Sequence, residues 1–278
     1  MSSRLSIVIV TFNSATEIDA CLASLAVHGA LVDRETLVID NASSDGTAAA
    51  VRARWPGVRV LDAGRNLGFA GGSNLGIRQT AGELILLLNP DTIVRPGALE
   101  ALIAALDARS DAAVAGPRIV DGDGRPELSF GWMISPVAEL RQKLLVKGHD
   151  RGLPLVAEYV DRITSRPRDV GWVSGACLLV RRADAEAVGL LDERFFMYAE
   201  DVDFCSAIRA RGRAVIFVPA SQVVHLRGRS VASSPKATEM AYRRSQLAFY
   251  VKHHPAWVPI LRAYLKLRGR LPDTTIDP

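Results

Sequence analysis

Short unbroken apolar runs alternate along the chain with segments of helical periodicity. Residues 84–88, Leu-Ile-Leu-Leu-Leu, show no alternation at all, which predicts a strand buried on both faces of a parallel sheet; Asn89-Pro90-Asp91 ends it abruptly. Leu5-Ser-Ile-Val-Ile-Val10 predicts a first buried strand, Thr36-Leu-Val-Ile-Asp40 a second and Val58-Arg-Val-Leu61 a shorter third. Between them, Ser14-Ala-Thr-Glu17 has capping-box spacing ahead of Ile18, Cys21, Leu22 and Leu25, and a second helix runs from the turn at Asn41-Ala-Ser-Ser-Asp-Gly46 to near Arg54. The glycine-rich segment 64–76 leads into a third helix ending near Thr80, and a proline-started helix covers 96–108. Strands and helices alternating at this spacing predict an α/β fold with a mostly parallel central sheet flanked by helices. If the ligand is a nucleotide, residues 1 to about 115 are its binding half.

The pattern weakens over 121–167, which reads as loops with one short helix near 137–146. It recovers with a strand over 172–180, a helix from Glu200 to about Arg211, a strand over 214–218 and an extended segment over 222–226 before Arg227-Gly-Arg-Ser230. From 236 the chain reads as helical to His253, is interrupted at Pro255 and Pro259, and is helical again to about Arg268. These elements divide into a domain over 1–230, with halves meeting near 115, and a helical basic C-terminal extension over 231–278.

The 278 residues, 49% hydrophobic and 23% charged, suit a globular chain of enzyme size. No apolar run approaches the roughly 20 residues that span a bilayer, and residues 5–10 are too short a run for a signal peptide, so a cytoplasmic location is expected. Cys21, Cys177 and Cys205 are isolated and read as buried thiols. The net charge of +4 is modest and unevenly placed: 240–272 hold seven Lys or Arg and no acid, interleaved with aromatic residues. Such a tail suits peripheral contact with an anionic membrane surface, a phosphorylated acceptor, or simply a solvated helical face.

Several chemistries can be set aside. The chain has no Gly-x-Gly-x-x-Gly fingerprint, no Gly-Lys pair for a P-loop and no His-Glu-x-x-His. Asn89 and Asp91 fall at the carboxyl end of a buried strand, where open α/β sheets bind ligands; a strand-ending turn explains the same residues. Asp40 ends the second strand, where a carboxylate can accept from a nucleobase or ribose or cap the next turn. Around Asn66, Gly68, Gly72 and Asn74, glycines permit close backbone approach and a helix N-terminus favours a diphosphate, with Arg65 as a countercharge; tight packing is the alternative. Glu200, Asp201 and Asp203 open a helix and complement its dipole, but the preceding Phe195-Phe-Met-Tyr198 supplies apolar surroundings that make a carboxylate a better proton acceptor. His225 is a core or surface histidine, or completes a metal site begun by Asp91.

Taken together, Thr11-Phe12-Asn13, Asp40-Asn-Ala-Ser-Ser-Asp-Gly-Thr47, Gly64-Arg-Asn-Leu-Gly-Phe69, Asn89-Pro-Asp91, Gly175-Ala176, Glu200-Asp-Val-Asp203 and His225-x-x-Gly-x-Ser230 resemble the GT-A-type inverting glycosyltransferases of family two. The similarity is closest to the rhamnosyltransferase branch that builds bacterial polysaccharides, and it covers residues 5 to about 230. The resemblance implies a nucleotide-sugar donor, of dTDP-rhamnose type for the rhamnosyltransferase branch, and a glycan or lipid-linked acceptor, with no nucleic acid partner. It implies Thr11, Asn13 and Asp40 near base and ribose, Arg65, Asn66 and Asn74 toward the diphosphate, and Asn89 on the donor side. Asp91 would hold Mg²⁺ or Mn²⁺ with His225 as a further ligand, and Asp201 would be the base with Glu200 its neighbour. The family's Asp-x-Asp is here Asn89-x-Asp91, one charge fewer. A sugar-phosphate nucleotidyltransferase is a rival reading, opposed by Thr11-Phe-Asn-Ser14 where that class carries a basic glycine-rich loop; a non-catalytic glycan- or membrane-binding protein of the same fold is another.

Overall fold

A computed structural model describes residues 4–27, 29, 31, 34–226 and 235–272. In chain order the elements are β1 (Leu5–Thr11), α1 (Ile18–Val27), β2 (Glu35–Asp40), α2 (Thr47–Arg54), β3 (Arg59–Asp62), α3 (Gly68–Arg78), β4 (Leu84–Leu88), β5 (Thr92–Val94), α4 (Ala98–Ala108), β6 (Ala112–Val120) and β7 (Phe130–Gly131). There follow α5 (Pro136–Asp150), α6 (Pro154–Thr164), β8 (Arg168–Asp169), β9 (Trp172–Val173), β10 (Cys177–Arg181), α7 (Arg182–Ala187), α8 (Glu200–Ala210), β11 (Ala214–His225), α9 (Pro235–His253) and α10 (Val258–Leu267).

The main sheet has the order β3-β2-β1-β4-β10-β6-β11-β5, with β8 also on β11. β1 pairs parallel with β2 and β4, β2 with β3 and β6 with β11, whereas β10 runs antiparallel between β4 and β6. The sheet is therefore mixed but mostly parallel, with β5 and β8 also reversed. Alternate residues of β1 and β4 feed two cores: Val8, Val10, Ile85 and Leu87 face α3 and α8, and Ile7, Ile9, Leu86 and Leu88 face α1 and α4. Burial on both faces is why these strands carry no polar alternation.

Some elements differ from the sequence reading. Residues 121–167 hold two helices, α5 and α6, where loops and one short helix were expected. The segment 172–180 is not one strand: β9 pairs with β7 in a separate two-stranded sheet, the chain breaks at 174–176, and β10 joins the main sheet. Residues 214–225 form one strand with an irregularity between Val218 and Gln222. β5 and β6 lie where no strand was read. The C-terminal helical region exists, and α9 is integral to the core: Phe249 and Tyr250 are buried within it. Arg227-Gly-Arg-Ser230, and with it the end of the His225 motif, lies outside the described residues.

Candidate active site

β1, β2 and β4 end together on one rim, because parallel pairing in register sets Thr11 opposite Asp40 and Ile9 opposite Leu88. Polar residues after these strands therefore gather there. Thr11 and Asp40 are buried; the Thr11 hydroxyl donates to the Asp40 carboxylate at 3.3 Å and Ser43 N–H donates to it at 3.0 Å. Asn13 is exposed, with a left-handed φ of 52°, and its side-chain oxygen accepts from Ser44 N–H at 2.8 Å. The loops after β1 and β2 are thus tied to each other, and Asp45, accepting from Ala15 N–H at 3.0 Å, adds a further tie.

The glycine-rich segment is built for a close approach. Gly68, with φ +72°, lies against Phe196, whose carbonyl accepts from Phe69 N–H at 2.8 Å; any Cβ at 68 would overlap that carbonyl. Asn66 accepts from Gly68 N–H at 3.0 Å and Arg65 is exposed. Asn74 is placed differently from the expectation of a diphosphate contact. It is buried, its amide donates to Leu191 C=O and Glu193 at 2.8 Å each, and its oxygen accepts from Leu191 N–H at 3.0 Å. Both amide hydrogens are spent on fastening the 191–193 loop to α3, leaving none for a ligand.

That loop leads to α8 through two successive left-handed residues, Tyr198 (φ 73°) and Ala199 (φ 67°). Left-handed backbone costs a residue with a side chain about 1 kcal/mol or more, so its surroundings must hold it. Ser245 of α9 donates to Met197 C=O at 2.7 Å and Tyr242 stacks edge-on against Tyr198 at 5.8 Å. The first turn of α8 carries three acids with separate surroundings. Asp203 is buried and paired with Lys252 at 2.8 Å and His253 at 2.6 Å, which anchors α9. Glu200 is buried, and one of its carboxylate oxygens has no hydrogen-bond partner among the described residues. Burial, and then the neighbouring Asp201 charge, holds its pKa well above the usual range. Asp201 is half-buried; burial raises its pKa against the opposing pull of the N–H donors of Gly175 and Val202, each 2.8 Å away.

The break between β9 and β10 joins this acid to the rim. Gly175 N–H donates to Asp201, while the next residue, Ala176, accepts from Asn89 N–H at 2.9 Å. Asp201 and the end of β4 thus share one short segment of chain. A side chain at 175 would crowd Phe69 and Asp201, so the room expected at Ser174-Gly-Ala176 is taken by those two residues. Asn89 is half-buried at this rim. Asp91 sits between β4 and β5, and the pairing of β5 with β11 brings His225 beside it: His225 Nε2 is 3.2 Å from Asp91 Oδ1, and Nδ1 is 3.8 Å from Glu127. Burial pulls the imidazole pKa down, but the Asp91 and Glu127 carboxylates outweigh it and leave it at about 9. Glu127 was missed in the sequence, since it stands alone in a weakly patterned segment. Among the described residues no group of three or more His, Cys, Asp or Glu could hold a metal by itself.

The chain is similar to known proteins. Residues 6–192 match the family described as Glycosyl transferase family 2. The chain is 34% identical over 289 positions to the N-acetylglucosaminyl-diphospho-decaprenol L-rhamnosyltransferase of Mycobacterium tuberculosis, covering 98% of this chain and 93% of that one. A low-salt glycan biosynthesis hexosyltransferase of Haloferax volcanii is 28% identical over 75% of this chain and 62% of its own. Among solved structures, a mannosyltransferase from Pyrobaculum calidifontis in complex with GDP-Man and Mn²⁺ superposes with a TM-score of 0.63 at 19% identity, over 96% of this chain and 70% of that one. GalNAc-T7 with UDP, GalNAc and Mn²⁺ gives 0.62 at 18% identity, over 87% of this chain and 47% of that longer one.

Proposed function

This chain belongs to glycosyl transferase family 2, and from that premise we propose that it transfers a rhamnosyl unit, with inversion, from dTDP-rhamnose to an N-acetylglucosaminyl-diphospho-prenol acceptor. The reading draws its sugar and acceptor from the mycobacterial relative's name and its chemistry from the rim residues. Its main support is the link through Gly175 and Ala176, which ties Asp201 to the end of β4 immediately before Asp91.

In this mechanism Asp201 takes the proton of the acceptor hydroxyl. The freed oxygen pair attacks the anomeric carbon from the face opposite the diphosphate, and the departing oxygen keeps the electrons of the bond that breaks. The raised pKa of Asp201, caused first by burial, makes it a stronger proton acceptor than an exposed carboxylate. Beside it, burial first and the Asp201 charge second push the Glu200 carboxyl further up. Thr11, Asn13 and Asp40 receive the nucleoside, with Arg65, Asn66 and Asn89 toward the diphosphate.

Asp91 and His225 fit a divalent cation, because a carboxylate oxygen and an imidazole nitrogen 3.2 Å apart are a mixed donor pair suited to Mn²⁺ or Mg²⁺, with diphosphate oxygens left to complete the shell. Such an ion would neutralise charge on the leaving diphosphate. The Asp91 and Glu127 carboxylates raise the His225 imidazole to about 9, so His225 would give up a proton in holding such an ion. A lipid-linked acceptor would bring the chain to the cytoplasmic membrane surface; no helix among the described residues is long and apolar enough to cross a membrane.

The test is transfer itself. Purified protein with Mn²⁺ is given each of a panel of nucleotide sugars and a short-chain prenyl-diphosphate acceptor. A rhamnosylated product with inverted anomeric configuration by NMR is expected with dTDP-rhamnose. Absence of product with every donor contradicts the reading, and pyrophosphate released from dTTP and a sugar 1-phosphate would favour a nucleotidyltransferase.

A further inference from the structure

We propose that α10 is a surface-seated membrane anchor, docking the chain on an anionic lipid bilayer through one apolar stripe. Trp257, Ile260, Tyr264 and Leu267 are 45%, 60%, 51% and 88% exposed. At 100° per residue Ile260, Tyr264 and Leu267 fall on one face of the helix, and Trp257, its N-cap, lies on the same side. They are not surplus core: Leu265 is fully buried, and Val258 and Leu261 pack on the core from a different face. The helix is already seated, and a second apolar face looks outward.

An outward face of this kind on an isolated chain needs an occupant. The charge around it selects one. Arg268 is exposed at the edge of the stripe and Lys266 is exposed further round the helix; long basic side chains there can reach lipid phosphates while the stripe enters the acyl boundary. Of the seven Lys or Arg in 240–272, Arg243 and Arg270 pair with Glu239 and Lys252 with Asp192 and Asp203, which leaves Arg244, Arg262, Lys266 and Arg268 as the exposed cations available to an anionic surface. Trp257 and Tyr264 are the amphipathic aromatics that settle at headgroup depth. An outward apolar stripe bordered by a cation, on a helix of ten residues that cannot span a bilayer, is the pattern of an interfacial helix.

The inference deepens the reading of a lipid-linked acceptor and rests on it for what the surface accomplishes. Its test contains neither donor nor acceptor, so failed transfer and failed docking are separate results. The full chain is sedimented with vesicles of phosphatidylcholine containing phosphatidylglycerol, and with phosphatidylcholine alone. Binding to the anionic vesicles is expected to exceed binding to the neutral ones by on the order of tenfold and to weaken in high salt. Ile260→Asp with Leu267→Asp is expected to reduce binding about tenfold or more with an unchanged thermal midpoint, and Lys266→Glu with Arg268→Glu to reduce it on a similar scale.

In the wild-type chain, brominated lipid should quench tryptophan fluorescence, and Trp257→Phe should remove the quenched component. This second readout needs no apolar-to-acidic change. The proposal is overturned if the wild-type chain stays in the supernatant with anionic vesicles, or if both double variants bind as it does. It is also overturned if the stripe joins two copies: a dimer that the Ile260→Asp, Leu267→Asp variant dissociates without loss of vesicle binding.

Discussion

Replacing Gly68 by alanine tests whether the glycine-rich turn carries the loop that presents Asp201. Gly68 has φ +72°, and an added Cβ would overlap Phe196 C=O and lie 2.7 Å from the Phe196 ring. The left-handed conformation alone costs alanine about 1 kcal/mol relative to glycine. Displacing Phe196 costs about 1–3 kcal/mol more as overpacking, part of it through the Phe69 N–H bond to Phe196. Reduced freedom of the unfolded chain returns roughly 0.5–1 kcal/mol. The net expectation is a loss of about 1–3.5 kcal/mol, read by urea unfolding at unchanged slope.

Gly97→Ala is the control: Gly97 has φ +73° with nothing within 4 Å of an added Cβ, so only the backbone penalty applies there, about 1 kcal/mol before the same entropic return. The movement at 68 should pass through Phe196 to Tyr198, Ala199 and the start of α8, lowering kcat with little change in donor KM. Equal stability losses at 68 and 97, or full activity in Gly68→Ala, would refute the reasoning.

Asp91→Ala should weaken donor binding in Mn²⁺ by about tenfold or more in calorimetry, and an unchanged isotherm would remove its metal role. Glu200→Gln should raise stability at neutral pH. The folded Glu200 pKa is raised, by burial first and the Asp201 charge second, so the folded chain holds a proton that the unfolded chain releases. The wild type therefore loses stability as pH climbs from the ordinary carboxylate range, about 4, through the raised folded value, and the variant should flatten that part of the thermal midpoint against pH. A steeper decline in Glu200→Gln would contradict this. Lys252→Met should cost about 2–3 kcal/mol, because it strips the buried Asp203 of its lysine and leaves His253 as its remaining partner, and chemical denaturation will show it.

Much of the fold is legible where burial is uniform. Leu84–Leu88 is apolar at every position because both faces of β4 are covered, and no other element fits such a run. β6 is as deeply buried yet was not readable, since Ala112–Val120 is built of small residues with Gly116 and Pro117 in its interior. Gly116 is small because Val173 presses on it, and Pro117 is tolerated because the ladder to β11 is irregular just past it, between Val218 and Gln222. Both residues read as turn signals until the partner strand is known. α6 hid in the same way behind the prolines on either side of it.

The rim residues after β1, β2 and β4 could be picked out because each follows a recognisable strand end. Asn74 shows the limit. Its place near a glycine-rich turn suggests a ligand, whereas its partners at 191–193 are distant in the chain and carry no local signature. Glu127 is the converse case: it becomes interesting only once β5 and β11 have set His225 within 3.8 Å of it.

The proton-accepting role of Asp201 is best examined by single-turnover transfer in Asp201→Asn, alongside donor calorimetry in Mn²⁺. Asparagine keeps an oxygen for Gly175 N–H and so preserves the link to the end of β4, while removing the basic carboxylate. The account predicts transfer slower by about 10²–10⁴, roughly 2.7–5.4 kcal/mol of barrier, with donor affinity within about threefold of wild type. Turnover near the wild-type rate with the variant folded and donor bound would contradict it.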